Sequence, residues 1–517
     1  MSSAPPTSQP AHSVGEQLLY AAIILALGDI AGKVLALIIT IIRTRTLTGD
    51  EFGGYGFIIS TIGMFAQIAG FSLGMAATRF VAMHRDHSLS NTRAISQFIT
   101  LVGLTTTVIS MIALYVLAPF LVKTVPDLLV PLRWSVLILG TQTPSGLVLG
   151  LLIGMQRYRA ATLASFSQNV VMLIFTVWLI PQAGLDGAIW ATAIGFLMTV
   201  LLAWYQAWDL LSWPWEPWSA IWSHRRILVE FCLPTLLAGF IVLPAGWISV
   251  VLVEHATNRM QIALFYAADQ FRPLLTLLGG VVSQPMVPLV TSLVSHALRA
   301  ESQEDRHQYQ RKAQRAIERS FQLAACLILP IHAMLAFAGP YVMALFGRTF
   351  AADWNVFLTM LAFAAYGGIA TLTTQTLISL NRVWLQNLIQ ILFGVLLIAI
   401  TWLLKDWGAI GIGLAYFIGT FLSLSVTSLI LFRSGYLTWF AIVVQLAAFS
   451  WLLAMSLASA YTPDAWRPWC VPLAFLATAA FFYLTMKSEM MHVISLIRRK
   501  LNARRTKSTV IESGSDI

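Results

Sequence analysis

One feature dominates this chain: apolar stretches long enough to cross a bilayer as helices follow one another with little in between. Fourteen can be placed, at about 17–42, 54–78, 94–122, 128–154, 160–181, 185–208, 228–253, 262–291, 320–346, 355–380, 384–404, 408–432, 436–459 and 466–486. Inside hydrocarbon a backbone must satisfy its own hydrogen bonds, so each stretch is expected to be a helix. Stretches of this length joined by short loops exclude a transmembrane barrel. Only 10% of the residues are charged, where a soluble domain carries about 25%, and mean hydropathy is +0.77. The chain therefore reads as an all-α polytopic membrane protein of about 14 transmembrane helices.

The net charge of +10 does not point to nucleic acid, because the basic residues sit between spans and in the C-terminal tail. With the N-terminus in the cytoplasm, 22 of the 32 Lys and Arg fall on the inner side and 8 on the outer, the latter including Arg43, Arg45 and Arg259; Lys33 and Arg272 lie inside spans. That bias predicts two cytoplasmic termini and an even number of crossings. The first 15 residues contain no Lys or Arg, so the first span is expected to stay as a span and not to act as a cleavable signal. Cys232, Cys326 and Cys470 are far apart in apolar segments, as small buried hydrophobes would be. No cofactor or metal is expected.

The chain also repeats itself. Arg157 is followed by an apolar span and then by Gly184, Gly187, Ala191 and Gly195. Arg382 is followed by another and then by Gly408, Gly411, Ala415 and Gly419. Glu16 and Glu230 open spans 1 and 7, and Tyr55 and Tyr266 open spans 2 and 8. Spans 1–6 and 7–12 thus read as two parallel copies, the arrangement expected of an alternating-access transporter. The expected organisation is a cytoplasmic tail (1–15), an N-lobe (16–208), a Trp-rich interfacial linker (209–227), a C-lobe (228–433), two additional spans (434–486) and a basic cytoplasmic tail (487–517) suited to anionic lipid. The charged stretch 295–318 reads as a helix on the cytoplasmic surface.

Soluble-enzyme motifs are missing. Gly28-Asp-Ile-Ala-Gly32-Lys33 has a passing likeness to a phosphate loop, but it lacks the spacing and lies within a span. Gly28 and Gly32 suit close helix packing instead. The informative residues are intramembrane charges, which are costly unless paired or wet. Asp29 and Lys33, four apart, can pair on one face of span 1; Asp269 and Arg272, three apart, can pair in span 8. Neither pair has a counterpart in the other copy. They read either as residues facing a cavity or as local bridges between helices. Pro234, Pro244, Pro273, Pro285 and Pro288 are candidate kinks or hinges. Gln168, Asn169 and Gln375 are weaker polar candidates, and His332 reads as a core histidine.

At this point the chain resembles a known group. Leu47-Thr-Gly-Asp-Glu-Phe-Gly-Gly-Tyr55-Gly-Phe, at the opening of span 2, is similar to the pattern that follows the first span in the polysaccharide transporters of the multidrug/oligosaccharidyl-lipid/polysaccharide exporter superfamily. Gly184-Leu-Asp-Gly187-Ala-Ile-Trp-Ala191 and its echo at Gly408 add to the likeness, which covers roughly residues 15–432. The resemblance implies two six-helix lobes around a cavity lined by spans 1, 2, 7 and 8. It also implies movement of an undecaprenyl-diphosphate-linked oligosaccharide between leaflets for O-antigen or exopolysaccharide synthesis. Lys33 and Arg272 would then meet the diphosphate, held in place by Asp29 and Asp269. Span 2 carries no mid-membrane cation, a departure that makes lipid II a poorer substrate.

Partners expected on this reading are the lipid-linked glycan, membrane lipid and, in the pathway, a polysaccharide polymerase and glycosyltransferases, with no nucleic acid. Two other classes compete. A cation-coupled drug exporter would want a carboxylate-rich cavity. A membrane glycosyltransferase or polysaccharide polymerase would want a large outer loop, and Asp50-Glu51 lies in a loop too short to form such a site.

Overall fold

A computed structural model describes residues 14–485 apart from 86–87, 124, 213–214, 234, 237–240 and 301. Pro234, most of the N-terminal tail and the basic tail from Lys487 lie outside the described residues. The rest is helical, with no strand among the described residues.

The N-lobe comprises α1 (Val14–Thr46), α2 (Gly49–Gly70), α3 (Leu73–His84), α4 (Leu89–Leu121), α5 (Val136–Gly154) and α6 (Tyr158–Gln206). The C-lobe comprises α7 (Val242–Ala256), α8 (Arg259–Asp269), α9 (Arg272–Arg299), α10 (Gln303–Phe337), α11 (Asn355–Ser379), α12 (Val383–Leu404) and α13 (Gly408–Arg433). The additional helices α14 (Trp439–Tyr461) and α15 (Arg467–Thr485) pack on α10. Ser459 donates to the Ala336 carbonyl at 2.7 Å, and Arg467 lies over the Trp354 ring at 4.4 Å. Nine segments among the described residues are long and apolar enough to cross a membrane. Two of them, Tyr158–Gln206 and Val383–Arg433, are far longer than the ~20 residues one crossing needs. Both fold back on themselves, at Gly184 and Gly408 respectively.

Those two turns explain the repeat. Gly184 (φ 52°, ψ −125°) and Gly408 (φ 60°, ψ −134°) share a backbone conformation that only glycine adopts at little cost. One turn further on, a Cβ at Gly187 would meet the Leu179 carbonyl oxygen at 2.4 Å, and one at Gly411 the Leu404 carbonyl oxygen at 2.1 Å. The arginines close the other end of each hairpin. Arg157 donates to the Gln206 carbonyl and, bidentately, to Asp209 at 2.6 and 2.7 Å; Arg382 donates to Ser434 at 2.8 Å. The repeated letters are therefore the two ends of one hairpin, built twice.

The second helix of each lobe also begins alike. Thr48 and Glu51 form a reciprocal capping box on α2, and Asn258 accepts from the Gln261 backbone N–H on α8. Glu51 lies beside Gly184, and Gln261 accepts from the Ala409 N–H at 3.0 Å. The prolines act mostly as helix openers. Pro244 is in the first turn of α7 and Pro273 is the second residue of α9, where a missing N–H costs nothing. Pro273 also leaves the Asp269 carbonyl without its helical donor, and the helix breaks at Gln270–Phe271. Pro285 and Pro288 lie inside α9.

Candidate functional site

The lobes meet along a seam between α1–α2 and α7–α9. At one end the seam is latched. Arg259, at the start of α8, donates to both carboxylate oxygens of Asp127 at 2.5 and 2.6 Å, and buried Glu254 lies 3.6 Å from the same guanidinium. Arg45 donates to the Leu345 carbonyl at 2.7 Å. Small residues let the backbones close: a Cβ on Gly53 would meet the Arg259 carbonyl oxygen at 2.1 Å, and one on Gly56 the Tyr266 ring at 2.2 Å. Deeper in, Trp247 donates to Thr61 at 2.9 Å and Thr40 to Gln270 at 3.2 Å.

Beyond that contact the seam holds a cavity of about 590 Å³. Asp29 and Lys33 of α1, Thr162, Ser165 and Asn169 of α6, and Leu277, Val281 and Gln284 of α9 line it. It is thus bounded by both lobes. Asp29 and Lys33 form the expected ion pair on one face of α1. Gly28 and Gly32 hold α1 against α6, facing Thr162 and Asn169.

Asp269 and Arg272 also pair, with two bonds of 2.7 and 2.9 Å across the helix break. Their arginine faces a different space. Arg272 lines a cavity of about 410 Å³ inside the C-lobe, enclosed by α9, α11, α12 and α13. The two cations therefore serve two cavities and not one. Their depths are related through the Thr40–Gln270 contact. Lys33 is seven residues below Thr40 on α1 and Arg272 two residues below Gln270, which at 1.5 Å per residue separates them by roughly 7–8 Å along the seam.

The weaker polar candidates now divide. Gln168 accepts from Thr199 at 2.9 Å inside the N-lobe and is packing. Asn169 lines the seam cavity and Gln375 the C-lobe cavity. His332 is fully buried against α14, with Ser456 at 3.4 Å.

One placement needs correction. Arg43, assigned to an outer loop, is in the last turn of α1 and only 5% exposed. It donates to the Tyr55 hydroxyl at 2.5 Å and to Thr192 at 2.8 Å, with Thr176 at 3.4 Å, and stacks over the Tyr55 ring. Hydroxyls alone solvate this guanidinium. The signal for it lay in Tyr55, Thr176 and Thr192, three hydrogen-bonding residues within apolar spans. Arg45 and Arg259, also counted as loop cations, turn out to be the latch.

Comparison with known proteins fits this geometry. The model of a family described as polysaccharide biosynthesis protein matches residues 18–294, just over half of the chain. The chain belongs to this family. No curated protein sequence matches it. Among solved structures, this family member is similar to the lipid II flippase MurJ in an inward closed conformation, at 13% identity and a TM-score of 0.66, over 90% of this chain and 99% of that one. It is also similar to an inward-facing multidrug resistance MATE family transporter of the MOP superfamily, at 16% identity and a TM-score of 0.60, over 85% and 99%. A further MATE structure, in complex with MaL6, matches at 14% identity and a TM-score of 0.55, over 86% and 99%. At these identities the likeness establishes the fold: a multi-pass membrane protein of the MOP-superfamily architecture.

Proposed function

We propose that this protein is a flippase for undecaprenyl-diphosphate-linked oligosaccharide, working by alternating access between its two lobes. The observation that carries the reading is the seam itself, closed by the latch at one end and, beyond it, hollow, with the Asp29–Lys33 pair on its N-lobe wall. Lys33, on the seam cavity, and Arg272, at the head of α9 where the C-lobe cavity begins, would reach toward the diphosphate from different sides. Asp29 and Asp269 hold them in place until an anion replaces the carboxylates. The polyprenyl tail stays in lipid. On the positive-inside orientation, the hollow end of the seam faces the cytoplasm, where a lipid-linked glycan is assembled. Glycosyltransferases would supply this substrate and a polymerase would consume it.

Among the described residues Arg272 is the sole ionisable side chain lining the C-lobe cavity, which offers a cationic drug no carboxylate there. The folds it resembles belong to transporters and not to enzymes.

The test is flipping in proteoliposomes, with undecaprenyl-diphosphate-linked oligosaccharide extracted from host membranes as substrate. Lys33→Gln and Arg272→Gln are each expected to slow it about tenfold or more, since each removes a charge-assisted contact. Wild-type rates in both variants would refute the assignment.

A further inference from the structure

The C-lobe cavity has a chemistry that neutralising a diphosphate does not use. Three amide side chains line it: Gln375 on α11, and Gln386 and Gln390 on α12. None of the three side chains makes a hydrogen bond within the described residues. A carboxamide carries two donor hydrogens and an acceptor oxygen, and these three stand half-buried along the cavity with that capacity open to an occupant. Gln386, Gln390 and Phe393 stand four and three residues apart, so they form one stripe on α12. That stripe presents two amides and then an aromatic face to the cavity. Thr420 and Ser423 of α13 already donate to backbone carbonyls of their own helix, leaving their oxygens as acceptors. Among the described residues no carboxylate lines the space.

We infer that this cavity is a saccharide subsite, which receives a sugar ring of the lipid-linked glycan while the diphosphate is held in the seam. The inference rests on the flippase reading and deepens it. Sugar hydroxyls and acetamido groups both give and take hydrogen bonds, as carboxamides do, and the apolar face of a sugar ring packs on an aromatic ring such as Phe393. The volume of about 410 Å³ falls in the range of small-molecule sites. Arg272 stands where the two chemistries join: its guanidinium lines the saccharide cavity and its helix continues down the wall of the seam cavity through Leu277, Val281 and Gln284. An apolar occupant such as a polyprenyl tail would bury three amides without partners, and a cationic one would meet no carboxylate among the described lining residues.

The experiment compares two probes on the purified full chain: undecaprenyl diphosphate without sugar, and undecaprenyl-diphosphate-linked oligosaccharide extracted from host membranes. The wild-type protein is expected to bind the glycosylated lipid about tenfold more tightly than the bare one. The double variant Gln386→Leu/Gln390→Leu is expected to erase that difference while leaving affinity for bare undecaprenyl diphosphate unchanged. Lys33→Gln should weaken both probes together. A wild-type protein that does not distinguish the probes, or a double variant that keeps the full preference, would mean a water-filled cavity only and overturn the inference. So would a double variant that weakens both probes in step. Should the double variant fail to fold, Gln375→Leu, on a different helix, carries the same expectation. Failure of the wild type to bind either probe would instead overturn the flippase reading itself.

Discussion

At the end of the seam that carries Asp127 and Arg259, the lobes are joined by a bidentate ion pair, an arginine-to-carbonyl bond and two glycines in van der Waals contact with the facing lobe. Toward the end that carries Arg299, no hydrogen bond or ion pair joins α9 beyond Leu277 to the N-lobe among the described residues. The chain itself supplies the tie there: Phe231 packs on Phe80 and under Arg79, and Cys232 sits in the N-lobe core. One end is thus held by contacts that can be broken, the other by covalent continuity. The latch is also built from modest parts. Asp127 is 61% exposed, and an ion pair so wetted contributes about 1 kcal/mol or less. Glu254 is the buried exception: at 6% exposure and 3.6 Å from the same guanidinium, its carboxylate would lose that partner when the lobes part.

The comparison can be broken most completely by forbidding the latched end to open. Thr61 and Trp247 touch across the seam. In the double variant Thr61→Cys/Trp247→Cys, a short thiol-reversible cross-linker should abolish nearly all flipping, and reductant should restore it. Unchanged flipping in the cross-linked protein would mean that this end never parts.

A smaller effect is expected from weakening the latch. Arg259→Gln should raise the population open at this end by about fivefold, the equivalent of ~1 kcal/mol. Spin labels on exposed Lys123→Cys and Asp406→Cys, one per lobe, would read it as a longer inter-lobe distance. High salt should mimic the change in the wild type and add little in the variant.

The smallest effect contrasts the lobes themselves. Arg157 closes its hairpin on a carboxylate, Asp209, whereas Arg382 closes the other on a hydroxyl. The hydrogen bonds from Arg157 hold the Asp209 carboxyl below its usual value. A depressed carboxylate stabilises the fold above its unfolded pKa and loses that contribution as pH falls through the folded one. Stability from this pair should therefore be constant from neutral pH down to about 4 and decline below. Asp209→Asn should remove that acid limb at a cost of under ~1 kcal/mol at neutral pH, since Asp209 is half exposed. Thermal unfolding across pH would show it, and an acid limb of equal size in Asp209→Asn would disprove it.

Much of this architecture is legible in one dimension because it is local. The spans follow from apolar length, the two hairpins from glycines whose backbone angles other residues avoid, and the pairs Asp29–Lys33 and Asp269–Arg272 from helical spacing. What escaped was set by distant packing. Asp127 and Arg259 are 132 residues apart, Arg45 and Leu345 300; no periodicity links them. Arg43 was misplaced because a cation at the end of an apolar run looks like a loop residue, and the hydroxyls that solvate it come from three other stretches of chain. The division of the two cations between two cavities depends on which way α9 faces, and a break at Gln270–Phe271 resets that.

The hairpin turns at Gly184 and Gly408 have one more consequence. Each reverses the chain with hardly any loop, as do Leu47-Thr48 and Thr257-Asn258, whereas residues 122–135 and 338–354 on the same face form longer connections built of short helices. The seam helices therefore meet that face on tight turns, while their latch partners Asp127 and Leu345 are carried by its two longer connections.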